Sequence, residues 1–193
     1  MKLYVGTYVI PVMAKTDYIA NLGPLALVSR LRRLLNRMVA DGERVYREMD
    51  FTFKVKWFPV LHLLNKRSPM ALTRIAETLD MAHPSIIEVS DDMIREGLLV
   101  SRKSTSDRRR RELALTANGR RLCVRLRPVW KAFKQAGDEV NTELGNNFLE
   151  SLKKLETSME AQSMYDRICS RLDRVNKEKT ISTKPIQQRG GTK

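Results

Sequence analysis

The 193-residue chain reads as mainly α, or α+β by strict count, and three observations carry that reading. Apolar residues recur at helical spacing through most of the length. A single stretch, from Leu99 to Leu115, alternates as strands do around a cationic turn. Gly, Pro and Asx residues mark the ends of most periodic segments.

Taken in order, Pro24 suits a first helical turn, and Leu25, Val28, Leu31, Leu35 and Met38 form one stripe up to Asp41-Gly42. The helix resumes or continues through Val45, Tyr46 and Met49. A second helix covers about 55–65, with Trp57, Val60, Leu61 and Leu64 buried, and Ser68-Pro69 breaks it. Residues 71–79 carry Leu72, Ile75, Ala76 and Leu79 on one face. After a turn at Asp80 to Ala82, His83 is expected to cap a helix whose first position is Pro84. That helix buries Ile86, Val89 and Met93 and ends at Glu96-Gly97.

The hairpin comes next, its first strand at Leu99 to Arg102 and its second turning Leu113 and Leu115 inward. Arg102, Lys103 and Arg108 to Arg111 crowd it against Asp107 and Glu112, so the tip repels itself until an anion arrives. Helix, tight turn, helix, hairpin is the order of a winged helix-turn-helix. Thr116 is expected to cap a long helix kinked at Pro128. Asn147 to Glu150 read as a capping-box opening of a helix with Phe148, Leu152, Leu155 and Met159 on one face, and Ser163 as the start of a short last helix.

A net charge of +14 with 42% hydrophobic residues describes a globular core attracted to nucleic acid or an anionic surface, with double-stranded DNA the favoured partner. Cys123 and Cys169 are too few and too far apart for a disulfide framework, which points to a reducing cytoplasm. The apolar run at Leu3 to Val12 is too short to span a bilayer, so no membrane role is expected. With His62 and His83 as the sole histidines, no metal cluster is expected, and no nucleophile, base and orienter suggest an enzyme or a cofactor. The division is an extension at 1–20, a domain at 21–175 with its DNA-binding core at about 55–116, and a polar basic tail at 176–193.

The pattern Asp107-x-Arg109-x-x-x-Leu113-x-Leu115-Thr116-x-x-Gly119, preceded by Met93 to Leu99, resembles the wing signature of MarR-family transcription regulators. Leu25 to Leu34, Trp57 to Leu61 and Met81 to Ser85 also resemble the N-terminal half of fusions in which such a domain precedes an acetyltransferase. The resemblance runs from about 21 to 173 and leaves no length for an acetyltransferase fold. It implies a homodimer interlocked through long N- and C-terminal helices, which agrees with apolar stripes at 25–38 and 148–159 wider than one winged domain can cover.

The resemblance places Arg109 in a minor groove, with Asp107 bracing the wing and Lys103, Arg108 and Arg110 as phosphate contacts. His83 and Ser85 stand at the helix N-terminus where a phosphate or base edge could bind; Ile87 suits a thymine methyl and Glu88 a cytosine amine. Glu88, Asp91, Asp92 and Glu96 make that helix acidic, with pairing of the aspartates to Arg74 or to the first helix as the alternative reading. The family's effector pocket would draw on Tyr46, Trp57, Phe58, His62 and Trp130, each equally explained by core packing. The expected function is a dimeric repressor that reads a pseudo-palindromic operator under a small-molecule effector. The alternatives are a protein-interaction module and the regulatory half of a split acetyltransferase.

Overall fold

In the computed structural model, residues 17–103 and 111–182 are described, the side chains of Lys103 and of 175–182 excepted. Eight helices and three short strands follow one another in these residues, and the chain divides into two units, 1–125 and 126–193.

Helix α1 (Tyr18–Asn21) opens the first unit, a single turn capped by Asp17, whose carboxylate accepts from Ala20 N and pairs with Arg33 at 2.6 Å. A 3₁₀ turn at Gly23–Ala26 holds Pro24 and leads into α2 (Leu27–Glu48). Of the two readings at Asp41-Gly42 the helix continues: Gly42 lies buried within α2 beside buried Tyr46, so packing offsets the poor helix propensity of glycine. Chain direction changes only at Asp50, which adopts φ 55° while Phe51 N donates to Tyr46 O. A second 3₁₀ turn, Val55–Trp57, starts where Val55 N donates to Glu43 Oε1, and α3 (Phe58–Arg67) follows. Trp57, Val60, Leu61 and Leu64 are fully buried, as the stripe predicts.

Strand β1 (Met70–Ala71) carries too few residues to show any alternation and was not expected. It pairs antiparallel with β3 (Arg111–Leu115), which pairs on its other edge with β2 (Leu99–Lys103), giving the order β1-β3-β2. As the central strand, β3 buries Leu113, Ala114 and Leu115 in succession, so its burial does not follow strict alternation. Between β1 and β2 lie α4 (Leu72–Leu79) and α5 (His83–Arg95). Helix α4 ends at Asp80, left-handed at φ 47°, and Met81 N returns to Ala76 O. The cap of α5 is Ala82 and not His83; its side chain offers no acceptor, and His83 is already helical.

The close of the sheet explains the Thr116 and Gly119 positions. Thr116 Oγ1 donates to Gly97 O at 2.7 Å and accepts from Gly119 N at 3.0 Å, so one hydroxyl joins the end of α5 to the start of α6 (Ala117–Glu143). A Cβ on Gly119 would collide with the Leu98 carbonyl and press on Leu115 Cδ2. Glycine is required here by approach of backbone to backbone, not by its φ.

Helix α6 continues through Pro128 into the second unit, where Leu126 and Val129 are buried. Helix α7 (Phe148–Ala161) lacks the expected capping box: Asn147 makes no side-chain cap bond, and Leu149 N donates instead to Asn141 Oδ1 at 3.1 Å. Ser163 does cap α8 (Met164–Ser182), accepting from Asp166 N. That helix is longer than the short one expected and reaches into the stretch assigned to the tail. Apolar surface stays uncovered in each unit: Leu31, Leu35 and Met38 in the first, Leu149, Leu152, Ile168 and Leu172 in the second.

Gly119→Ala is expected to destabilise the protein by about 1–3 kcal/mol, the range for forcing an added carbon into a filled site. Thr116→Ala should cost about 1 kcal/mol, as for other cap removals. Denaturant melts of both variants check this, with Gly137→Ala, which meets open space, as the neutral control.

Candidate nucleic-acid interface

Helix α5 is built with one face in the core and one in solvent. Ile86, Val89 and Met93 anchor it, while His83, Ser85, Glu88 and Asp91 are exposed and Ile87 remains 39% exposed. Its first turn has no side-chain cap, Pro84 carries no N–H and Ser85 N donates to Ala82 O, so what this end offers beside His83 and Ser85 is mainly the positive end of the helix dipole. His83, Ser85, Ile87 and Glu88 are all solvent-accessible on α5, with His83 and Ile87 on the side of α4.

Alongside runs a groove of about 550 Å³ between α4, α5 and β3. Ile87, Ile94 and Leu113 supply its apolar lining; His83, Arg74 and Arg111 supply basic groups, and Glu77 and Asp91 acidic ones. Arg111 Nε donates to Ser101 Oγ, which holds that guanidinium against the outer sheet. Ser90 Oγ lines the same groove, buried and without a hydrogen-bond partner.

The acidity of α5 is arranged differently from the expectation of four bare carboxylates. Asp92 is buried, and its side chain is 10% exposed. Lys54 Nζ donates to its Oδ2 at 2.8 Å and Trp57 Nε1 to the same oxygen at 3.0 Å, while Arg95 donates to Oδ1 at 2.8 Å. Lys56 Nζ lies 3.4 Å away and donates to Glu88 Oε1 at 2.9 Å. These bonds, that from Lys54 foremost, hold the Asp92 carboxyl at a pKa of about 2, below its ordinary 3.8. Glu88 in turn raises the Lys56 ammonium above its usual value. Pairing of Asp92 with Arg74 does not occur, since Arg74 binds Glu77. Three cations thus neutralise two of the four carboxylates, and among the described residues no cation pairs with Asp91 or Glu96.

Lys54 and Lys56 escaped the sequence reading because they lie outside the helix they serve. Spacing held a usable signal: Glu88 and Asp92, four apart, share one helical face, and Lys54-x-Lys56 immediately precedes the buried Trp57.

The wing tip, with Asp107, Arg108, Arg109 and Arg110, lies outside the described residues, as does the side chain of Lys103. Its two strands are in place, Lys103 opposite Arg111 and Arg102 opposite Glu112. Of the expected effector-pocket residues, Tyr46 and Trp57 are core: both pack edge-on against Phe53, at 4.6 and 5.7 Å between ring centroids. Phe53 itself went unrecognised in the sequence. Phe58 and His62 meet on the surface of α3, their rings 5.3 Å apart, and burial with the nearby Lys66 lowers the His62 pKa. Trp130 is half-buried and belongs to the second unit. Among the described residues no group of His, Cys, Asp or Glu could hold a metal, and no helix is long and apolar enough to cross a membrane.

Because the folded carboxyl of Asp92 titrates below its unfolded value, its contribution to stability is fully present above about pH 3.8 and is lost as pH falls towards about 2. Asp92→Asn should lower stability at neutral pH and remove this segment of the acid dependence. Denaturant melts from pH 2 to 7 check both statements; parallel profiles for the two proteins would dismiss the network as stabilising.

Comparison with known proteins matches this geometry. Residues 57–110 fit the sequence profile described as the MarR family. No curated protein sequence matches the chain. Among solved structures, MepR of S. aureus in complex with DNA is similar with a TM-score of 0.59 at 17% identity, over 68% of this chain and 97% of that one. The transcriptional repressor CouR bound to a 23-mer DNA duplex gives 0.55 at 26% identity, over 72% and 96%. BpsR of Bordetella bronchiseptica, from a study of the regulation of its DNA binding by 6-hydroxynicotinic acid, gives 0.52 at 20%, over 67% and 92%. The chain therefore matches the MarR family model over residues 57–110 and has the winged-helix fold of these solved structures.

Proposed function

We propose that the chain is a sequence-specific double-stranded DNA-binding transcription regulator, a cytoplasmic homodimeric repressor relieved by a small-molecule effector. The observation that carries this reading is the exposed, uncapped face of α5 with His83, Ser85, Ile87 and Glu88, set beside a hairpin whose strands lead into the cationic tip. Such a face places a helix in a major groove and a wing against the adjoining backbone. MepR and CouR, which share the fold, are seen bound to DNA.

Two copies would present two α5 helices about one helical turn, roughly 10 base pairs, apart on a pseudo-palindrome. The uncovered stripes of α2, α7 and α8 supply the apolar surface that a dimer buries. An effector acts by binding more tightly to the conformation with the wrong spacing, and the control of BpsR is the precedent for a small aromatic acid. Likeness of residues 25–34, 57–61 and 81–85 to acetyltransferase fusions is part of the same reading, as a common origin of the regulatory half.

Selection on random duplex DNA at two salt concentrations should enrich a palindrome; enrichment of none would remove the regulator reading. Arg109→Ala is expected to weaken the selected site by on the order of 1–3 kcal/mol, the worth of a groove contact, with the melting temperature unchanged. Gel-shift titration with thermal melting measures it. Leu152→Glu, on the exposed stripe of α7, should yield monomer or aggregate where the parent sediments as a dimer.

A further inference from the structure

We infer that Lys56 is a phosphate contact of the DNA interface that Glu88 holds in reserve, whereas Lys54, two residues away, serves the fold. The inference rests on the DNA-binding reading above. Both lysine side chains are 45% exposed, yet their partners differ in kind. Lys54 binds a carboxylate that is 10% exposed and also lies over the Trp57 ring, 4.9 Å from its centroid. Withdrawing Lys54 would strip a buried charge of one of its two shortest ion pairs, which the interior penalises. Lys56 binds mainly Glu88, whose side chain is 73% exposed, and reaches Asp92 only at 3.4 Å. An exposed pair of this sort is weak and screened.

Duplex DNA brings one negative charge per roughly 1.7 Å of its axis, far denser than a lone carboxylate, so phosphate takes Lys56 when α5 docks. Exchange has a second consequence. Once Lys56 turns to the backbone, Glu88 is left bare towards the base edges, and a donor such as a cytosine amine compensates it while an acceptor does not. One ion pair in the free protein thereby links a contact blind to sequence with a contact that reads it. The same pair accounts for an acidic residue on a DNA-facing helix: while Lys56 is engaged, Glu88 neither repels phosphate strongly nor leaves the lysine free for indiscriminate binding.

The test is a four-protein cycle, comprising the parent, Lys56→Gln, Glu88→Gln and the double variant, titrated with a random-sequence duplex at several salt concentrations. Lys56→Gln should flatten the slope of log K against log salt by about 0.9, the value for one released phosphate contact. Glu88→Gln should tighten binding in the parent and do nothing in the Lys56→Gln background. If the gain from Glu88→Gln persists undiminished there, Glu88 repels DNA directly and the inference fails. It fails equally if Lys56→Gln leaves the slope unchanged while the parent binds. A parent that binds no duplex at any salt would bring down the regulator reading and this inference together. Lys54→Gln is the contrasting variant, expected to lower the melting temperature and keep the slope. Lys56→Arg, which retains the charge, should keep the parental slope and guards against loss of fold in Lys56→Gln.

Discussion

A carboxylate removed from water must be met by hydrogen bonds and opposite charge, and around Asp92 that requirement organises the interface. The donors come from Lys54 and Trp57 before α3 and from Arg95 within α5 itself. Satisfying one buried oxygen pair therefore fixes the angle at which α5 leaves the core. Trp57 in turn packs against Phe53, and Phe53 against Tyr46 of α2, so the orientation of α5 is tied through a row of rings to the long N-terminal helix. A helix proposed to read DNA must be held to within about an ångström of its groove, and this network holds α5 at its middle and C-terminal end while its N-terminal turn has no side-chain cap.

The C-terminal end of α5 is secured further through the backbone that follows it. Thr116 bonds the carbonyl of Gly97 and caps α6 with the same hydroxyl, and the lack of a side chain at Gly119 lets the first turn of α6 lie against Leu98. Strand β1 adds a third strand on the far edge of β3, and Ser68 Oγ accepts from Leu115 N just beside it. Strand β3 is thus paired on both edges, by β1 and by β2.

Charge and apolar surface divide the work. The overall balance of +14 attracts polyanions at long range irrespective of sequence, whereas the local pairing of Glu88 and Asp92 with lysines offsets two of the four carboxylates of α5. The apolar residues left open lie on α2, α7 and α8, elements other than α5.

Periodicity was enough to locate the two helices and the hairpin, because each buries one face and that face imposes a repeat of 3.6 or 2 residues. The same reasoning exposed His83, Ser85, Ile87 and Glu88 correctly and buried Val60, Leu61 and Leu64. It failed where the cause was not local. A two-residue strand carries no period, and Asn147 was read by propensity where Asn141 supplies the bond instead. The charge of α5 was misjudged most, since a linear sequence shows that Asp92 is acidic but not that Lys54, 38 positions earlier, meets it at 2.8 Å. By itself the sequence determined which elements form and that the whole is strongly basic, because both follow from composition and near neighbours. Which carboxylates face solvent, which cations they occupy and why glycine stands at 119 were decided only by tertiary structure, because those depend on groups far apart in the chain sharing a few ångströms of space.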